Sequence, residues 1–125
     1  MRYPTSKEIE LIERKRKVKY PPSFKNSLTK LPDIYEEVKA IYPHAEFIST
    51  ISQFDHGKYL GVTPKNDLIP FFLVHQTDFI DYHCFKHSSA NSEYKVVVFA
   101  GDAIVFEWTN FDAWVCWSKK KALDI

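Results

Sequence analysis

The chain has 125 residues, which fits a single domain over residues 1–125 that can bury a hydrophobic core without staples. Its two cysteines, Cys84 and Cys116, are too few for a disulfide framework. We expect buried free thiols in a reducing compartment, with a single bridge between them left open. The N-terminus has no apolar signal core, and the longest apolar run, near Leu68–Val74, is too short to span a bilayer. We therefore expect a soluble, cytoplasmic protein.

The formal net charge of +1 hides an uneven distribution along the chain. Residues 1–31 hold nine Lys or Arg and three acidic residues, whereas residues 32–118 hold five Lys or Arg and twelve acidic residues. Two interpretations stay open. The clusters are either ordinary solvated faces or an acidic surface that meets a basic partner, since complementary charge speeds association and selects partners.

The N-terminal third predicts helices. Thr5 followed by Glu8 matches a capping box and predicts a helix from Thr5 or the next residue to about Lys17. Its apolar stripe is thin, so we expect it to pack on the surface of the domain. The basic residues at its end suit a helix C-terminus, and we prefer that role to a nucleic-acid patch because no aromatic residues are interleaved with them.

Two further helices and an ambiguous region follow. Pro22 in a first turn predicts a helix over Ser23–Lys30, and the next helix is expected over about Asp33–Ile41. Within residues 44–66, the apolar residues near Phe47 fit either a short strand or a helical turn. Two turns are predicted toward the end of that region, at His56–Lys58 and Thr63–Asp67.

From Leu68 the pattern becomes that of a sheet. Strands are predicted over Leu68–Val74 and Phe79–Lys86, then a hairpin about the Gly101-Asp102 turn, then a helix from Thr109 or Asn110. Helices first, about four or more meandering antiparallel strands next, and a C-terminal helix packed on the sheet define an α+β fold.

The hairpin and the last helix are expected to form the centre of the fold. A two-residue turn places Phe99 opposite Ile104 and Val98 opposite Val105. Both strands are apolar at nearly every position, so at least one should be covered on both faces. The predicted core residues of this segment are Val97, Phe99, Ile104, Phe106, Phe111 and Trp114.

Catalytic motifs are not found. The sequence contains no phosphate-binding or nucleophile-elbow motif, and its three Gly residues make a phosphate-cradling loop unexpected. The spacing of Asp81, His83 and His87 would allow them to bind a metal ion. A structural zinc site prefers four Cys or His ligands, however, so we interpret the three as hydrogen-bonded residues of a strand and its end. Acids on strands and turns have structural reasons to be there. We expect no enzyme activity, no cofactor and no metal.

The aromatic residues on the strands suggest a base-stacking platform at first sight. Such a platform needs basic neighbours, and here the neighbours are acidic, so core packing explains these residues better than nucleic-acid binding does. Trp117 differs because it falls on a different helix face from Trp114. It fits either an exposed anchor for a partner or a cover for the sheet edge.

Three segments together resemble the SUKH superfamily of bacterial immunity proteins, in the branch shared with fungal cell-wall assembly regulators. They are a proline-punctuated helix start at Tyr20–Lys25, an acidic and aromatic strand at Asp78–Phe85, and the hairpin and helix from Val96 to Trp114. Residues 32–66 depart from the Asn- and Gly-rich segment usual in the family.

This resemblance implies a non-enzymatic protein that binds and neutralises a toxin, often a nuclease, inside the producing cell. A protein presenting carboxylates to a basic nuclease site would compete with nucleic acid. The resemblance also leaves open a regulatory scaffold that binds a cellular protein or peptide. We expect a protein partner and neither nucleic acid nor membrane, with the oligomeric state open. The candidate toxin contacts are Asp78, Asp81, Asp102, Glu107 and Trp117.

Overall fold

The computed structural model describes residues 2–39, 41–59, 68–77, 80–100 and 103–123, apart from the side chains of residues 57–59 and 118–123. The helices of this part are α1 (Ser6–Arg16), α2 (Pro22–Lys25), α3 (Leu31–Val38), α4 (Ile51–Tyr59) and α5 (Phe111–Leu123), with a 3-10 turn at Leu28–Lys30. The strands are β1 (Ala45–Phe47), β2 (Leu68–His75), β3 (Ile80–Lys86), β4 (Lys95–Ala100) and β5 (Ala103–Trp108).

The strands form one antiparallel sheet in the order β1-β2-β3-β4-β5. Each strand pairs with its neighbour in sequence, so the sheet is a meander and the predicted α+β fold is confirmed. Helices α1, α2 and α3 precede the sheet and α5 follows it, as predicted, whereas α4 lies between β1 and β2 in the chain. No helix in the described ranges is both long enough and apolar enough to cross a bilayer.

Helix α1 is confirmed almost to the residue. Thr5 Oγ1 accepts a hydrogen bond from the Glu8 amide at 3.2 Å, and Glu8 Oε1 accepts one from the Thr5 amide at 3.0 Å, which completes the capping box. The helix ends where Lys17 adopts a left-handed conformation. The Arg16 guanidinium binds both carboxylate oxygens of Asp55, at 2.7 and 2.6 Å, and so ties α1 to α4.

Residues 22–59 correct the sequence analysis in several places. The helix predicted over Ser23–Lys30 is broken into α2 and the 3-10 turn, and α3 begins before Asp33 and ends before Ile41. The turn predicted at His56–Lys58 is wrong, because these residues lie inside α4. That helix starts with a second capping box, in which Gln53 and Thr50 exchange hydrogen bonds. The turn predicted at Thr63–Asp67 lies outside the described residues.

The pairing register defines the two faces of the sheet, because residues directly opposite in neighbouring strands point to the same side. One row across the sheet defines what we call the helix face: Phe72, His83, Val98 and Phe106. A row on the other side defines the opposite face: Leu73, Tyr82, Phe99 and Ile104. Helix α5 covers the helix face through Trp114, whose ring contacts Phe72 and His83.

The predicted hairpin exists, but its register and its burial differ from expectation. Phe99 does lie opposite Ile104, yet a β-bulge follows, so Val98 lies opposite Phe106 rather than Val105. The Gly101-Asp102 turn itself is outside the described residues. Val97, Phe99, Phe111 and Trp114 are buried as predicted, whereas Ile104 and Phe106 are exposed. The expectation that at least one of the two strands is covered on both faces is confirmed by β4. The core assignment of Ile104 and Phe106 is wrong, because β5 is an edge strand of the sheet.

The core is continuous from α1 to α5 and is rich in aromatic residues. Within it, the Tyr20 hydroxyl donates a hydrogen bond to the Pro70 carbonyl at 3.0 Å. Pro70 adjoins a β-bulge in β2, so this bond joins the N-terminal segment to the sheet at an irregular point of the ladder. Burial raises the pKa of Tyr20 well above its usual value, which keeps the hydroxyl protonated and able to donate.

Replacing Tyr20 by Phe is expected to lower the free energy of unfolding by about 1–2 kcal/mol, because a buried hydrogen bond is lost and the ring stays. Urea unfolding measures the change. Tyr94→Phe is the matched control, since that buried ring has no comparable bond from its hydroxyl among the described contacts. A loss in Tyr94→Phe as large as that in Tyr20→Phe would contradict a specific role for the Pro70 bond.

Candidate functional site

Three of the five predicted contact residues are described. Asp78 and Asp102 lie outside the described residues. Asp81 is the second residue of β3, Glu107 lies near the end of β5, and Trp117 is in α5. Asp81 and Trp117 both lie near Tyr42, whereas Glu107 lies on the opposite face of the sheet.

Asp81 carries an unusual carboxylate. Its Oδ2 accepts a hydrogen bond from Gln76 Nε2 at 3.2 Å, while its Oδ1 is buried and has no hydrogen-bond partner among the described residues. A buried carboxylate oxygen without a donor is costly and uncommon. Tyr42 lies nearby: burial raises the pKa of its phenol, and the negative charge of Asp81 raises it further.

Trp117 belongs to a group of aromatic residues that we call the aromatic strip: Tyr42, Phe106, Trp108 and Trp117. The ring centroid of Trp117 lies 5.0 Å from that of Trp108 and 6.2 Å from that of Tyr42. Phe106 extends the strip at 4.7 Å from Trp108. These separations are those of favourable aromatic pairs. Trp108 and Trp117 are half-buried and Phe106 is exposed, so the strip presents aromatic surface to solvent.

Glu107 lies on the opposite face of the sheet, since it pairs across the ladder with Val97 rather than with a helix-face residue. Its carboxylate is 3.8 Å from the Lys95 ammonium, and both side chains are more than half exposed. A loose, exposed ion pair of this kind contributes little stability. Glu107 is therefore available to a partner, but not at the same place as Asp81 and Trp117.

The main feature that the sequence analysis missed is the exposure of β5. Ile104, Val105 and Phe106 are 42%, 60% and 52% exposed, and the other large apolar side chain exposed to this degree among the described residues is the isolated Leu11. Scattered apolar residues on a surface are ordinary, whereas three in a row on one strand are not. The order of the predicted meander indicates this exposure, because the last strand of a meander has no neighbouring strand on one side.

The chain was compared with protein-family models, with curated proteins and with solved structures. None of the three comparisons found a match. The SUKH resemblance is therefore a hypothesis that rests on the segments Tyr20–Lys25, Asp78–Phe85 and Val96–Trp114.

His83 and Cys84 point to opposite faces of the sheet, and both are buried. His83 Nδ1 accepts a hydrogen bond from Trp114 Nε1 at 2.9 Å, so its ring proton lies on Nε2. Desolvation lowers the pKa of His83 to about 3 and raises the pKa of the Cys84 thiol. Both cysteines are free, but Cys116 is exposed, which corrects the expectation of two buried thiols.

Metal binding at Asp81, His83 and His87 is not favoured by this arrangement. The His83 ring is enclosed and already bonded to Trp114, and the His87 ring lies beside Tyr94 at 5.1 Å. Among the described residues, no three His, Cys, Asp or Glu side chains are grouped so that they could hold an ion.

Two shallow clefts flank β1. The first, of about 370 Å³, includes Arg2, Ser49 and Gln53 in its wall. Its polar groups bind one another: Arg2 donates to Ser49 Oγ at 3.1 Å, and Gln53 Oε1 accepts from the Ser49 amide at 2.9 Å. The second, of about 390 Å³, lies between the His44 and His75 segments, where the backbones are joined by a 2.7 Å hydrogen bond. Neither cleft combines the exposed apolar surface and free strand edge found at β5.

Proposed function

We propose that the protein is an immunity protein, which binds a cognate bacterial toxin, a nuclease, and neutralises it by occluding its active site. It acts as a binding protein without catalysis of its own. The observation that carries this proposal is the run of exposed apolar side chains on β5, next to the half-buried Trp117 of α5. Surfaces of this kind, with aromatic residues at their centre and charged residues around them, are typical of protein–protein interfaces.

The charges of the C-terminal half support a basic partner. Asp81 is partly exposed, and Glu107 and Asp112 are exposed. A nuclease site is basic because it holds phosphate. Carboxylates that meet such a site would exclude nucleic acid from it and would speed association.

The resemblance to the SUKH superfamily supports the same proposal. Its second branch supports the alternative, a regulatory scaffold that binds a cellular protein or peptide through this surface. The gene beside this one distinguishes the two. A neighbouring gene for a large toxin with a C-terminal nuclease module favours immunity, and an isolated housekeeping locus favours the scaffold.

The test is to mix the purified chain with the nuclease module encoded beside it. We expect a stable complex and a loss of nuclease activity that is complete when the two proteins are equimolar. We also expect the association rate to fall about tenfold or more between about 0.01 M and about 0.15 M ionic strength, because charge attraction is screened.

The two results test different parts of the proposal. Full nuclease activity in the presence of excess chain would overturn the immunity function. Inhibition with an association rate that is insensitive to salt would leave the function in place and overturn the electrostatic mechanism. A nuclease that is unrelated to the system is the control, and its activity should be unaffected.

A further inference from the structure

We propose that β5 is a docking edge that accepts an extended segment of a partner protein as a sixth strand of the sheet, and that this segment carries Lys or Arg opposite Glu107. The inference deepens the proposed function, since it states how the toxin would be held. It rests on the proposed function only for the identity of the partner.

The backbone of β5 is the first ground. This strand is last in the sheet order, and no described backbone group pairs with its outer side. Its outward N–H and C=O groups can form a ladder with an added strand, which is a common way of binding an extended peptide. The bulge between Ile104 and Phe106 interrupts the register, so the regular pairing surface is Phe106–Trp108.

The side chains of β5 are the second ground. On the helix face, Phe106 and Trp108 lie side by side and Trp117 packs against Trp108. An added strand would place its own side chains about 5 Å from these rings, which is close enough for apolar contact. Natural edges are usually protected by Lys, Pro or a covering loop, whereas this one presents Ile104, Val105 and Phe106.

Charge decides what kind of segment fits. On the opposite face, the residue directly across from Glu107 would lie within reach of its exposed carboxylate. A Lys or Arg there forms a cross-strand ion pair, and a Glu or Asp is repelled. On the helix face, an Arg is tolerated beside Phe106 and Trp108 through cation–π contact.

A second copy of this chain is the poorer occupant. Its own exposed edge, Ala103–Trp108, contains Glu107 and neither Lys nor Arg. Two β5 strands paired about Glu107 would set one carboxylate against the other, which is destabilising. A cationic segment of a different protein relieves this repulsion.

The experiment uses the full chain and two short synthetic peptides with blocked ends. One peptide alternates valine and arginine, and the other alternates valine and glutamate. Binding is followed by amide and indole NMR chemical shifts during titration. We expect the arginine peptide to change the chemical shifts of the amides of residues 103–108 and of the Trp108 indole. The glutamate peptide should bind about tenfold more weakly or worse, because it loses one favourable charge pair and gains a repulsive one.

Matched variants make the test specific. Glu107→Lys is expected to reverse the preference toward the glutamate peptide, whereas Glu10→Lys, an equal change of charge at an exposed site on α1, should preserve it. Phe106→Ser is expected to weaken the arginine peptide, and Leu11→Ser, a similar change at the other exposed apolar site, should not. An unchanged preference in Glu107→Lys, or shifts that lie away from β5, would overturn the inference.

A last measurement separates this inference from the proposed function. In a complex with the toxin module, hydrogen exchange at the amides of residues 103–108 is expected to slow. A toxin that is inhibited without any protection of these amides would overturn the docking edge and leave the immunity function intact. Peptide binding as expected, together with a fully active toxin, would support the docking edge and overturn the immunity function.

Discussion

Replacing Trp114 by Ala is expected to lower the free energy of unfolding by about 3–5 kcal/mol. Trp114 is completely buried, and its ring packs against Phe71, Phe72 and Phe111 between the sheet and α5. Truncation leaves a cavity that these rigid neighbours cannot fill. It also removes the Nε1 donor to His83 Nδ1, which leaves a buried acceptor without a partner. Both effects act in the same direction.

Denaturant unfolding, followed by circular dichroism, measures the loss in Trp114→Ala. The matched control is Trp117→Ala, the same change one turn further along α5 at a half-exposed ring. Because the strip around Trp117 is already open to solvent, its truncation should destabilise the protein less than half as much. Equal losses in the two variants would show that burial does not control the outcome and would contradict the assignment of Trp114 as the central core residue.

The order of the elements could be predicted because local signals agree with the fold. The Thr5 capping box, the proline at the start of α2 and the apolar runs of β2 and β4 each specify an element by themselves. Asn110 likewise caps α5, since its Oδ1 accepts from the Ala113 amide at 2.9 Å. These features depend on neighbours in sequence, so a sequence is sufficient to read them.

Helix α4 is an element that the sequence analysis does not predict. Gly57 and the flanking polar residues predict a turn, although the capping box at Thr50 and Gln53 marks the start of a helix. Tertiary contacts then override the weak helix propensity: Phe54 is buried, and His56 Nδ1 lies 3.4 Å from the Tyr82 hydroxyl on the sheet. Helix α4 packs against α1 and β2 and also touches Tyr82 of β3. These contacts come from distant parts of the chain, so no local pattern predicts them.

The exposed surface of β5 was missed for a related reason. Ile104 and Phe106 are as apolar as the buried residues of β4, so hydrophobicity alone assigns both strands to the core. What distinguishes β5 is its position at the end of the meander and the bulge that shifts its register. The candidate site changes accordingly. Trp117 stays a candidate contact, joined now by Phe106 and Trp108, while Asp81 and Glu107 lie on different faces.

The burial of His83 is expected to make the stability of the fold sensitive to acid. Burial lowers its pKa to about 3 in the folded protein, whereas an exposed His in the unfolded chain has a pKa of about 6.5. Between these values the unfolded chain binds a proton that the folded chain does not. The free energy of unfolding should therefore fall as the pH falls from about 6.5 toward about 3, by a total on the order of 3–5 kcal/mol from this residue.

His83→Gln isolates this contribution, because Gln can accept the hydrogen bond from Trp114 Nε1 and does not titrate. We expect the variant to be less stable than the wild type at pH 7, since its side chain fits the aromatic surroundings less well, and to lose less stability on acidification. His75→Gln, at an exposed strand end, is the control and should follow the wild-type pH profile. Urea unfolding at intervals between pH 7 and pH 4 measures all three proteins. Parallel profiles for His83→Gln and the wild type would show that His83 is charged or solvated in the folded state, and would contradict its buried, neutral role beneath Trp114.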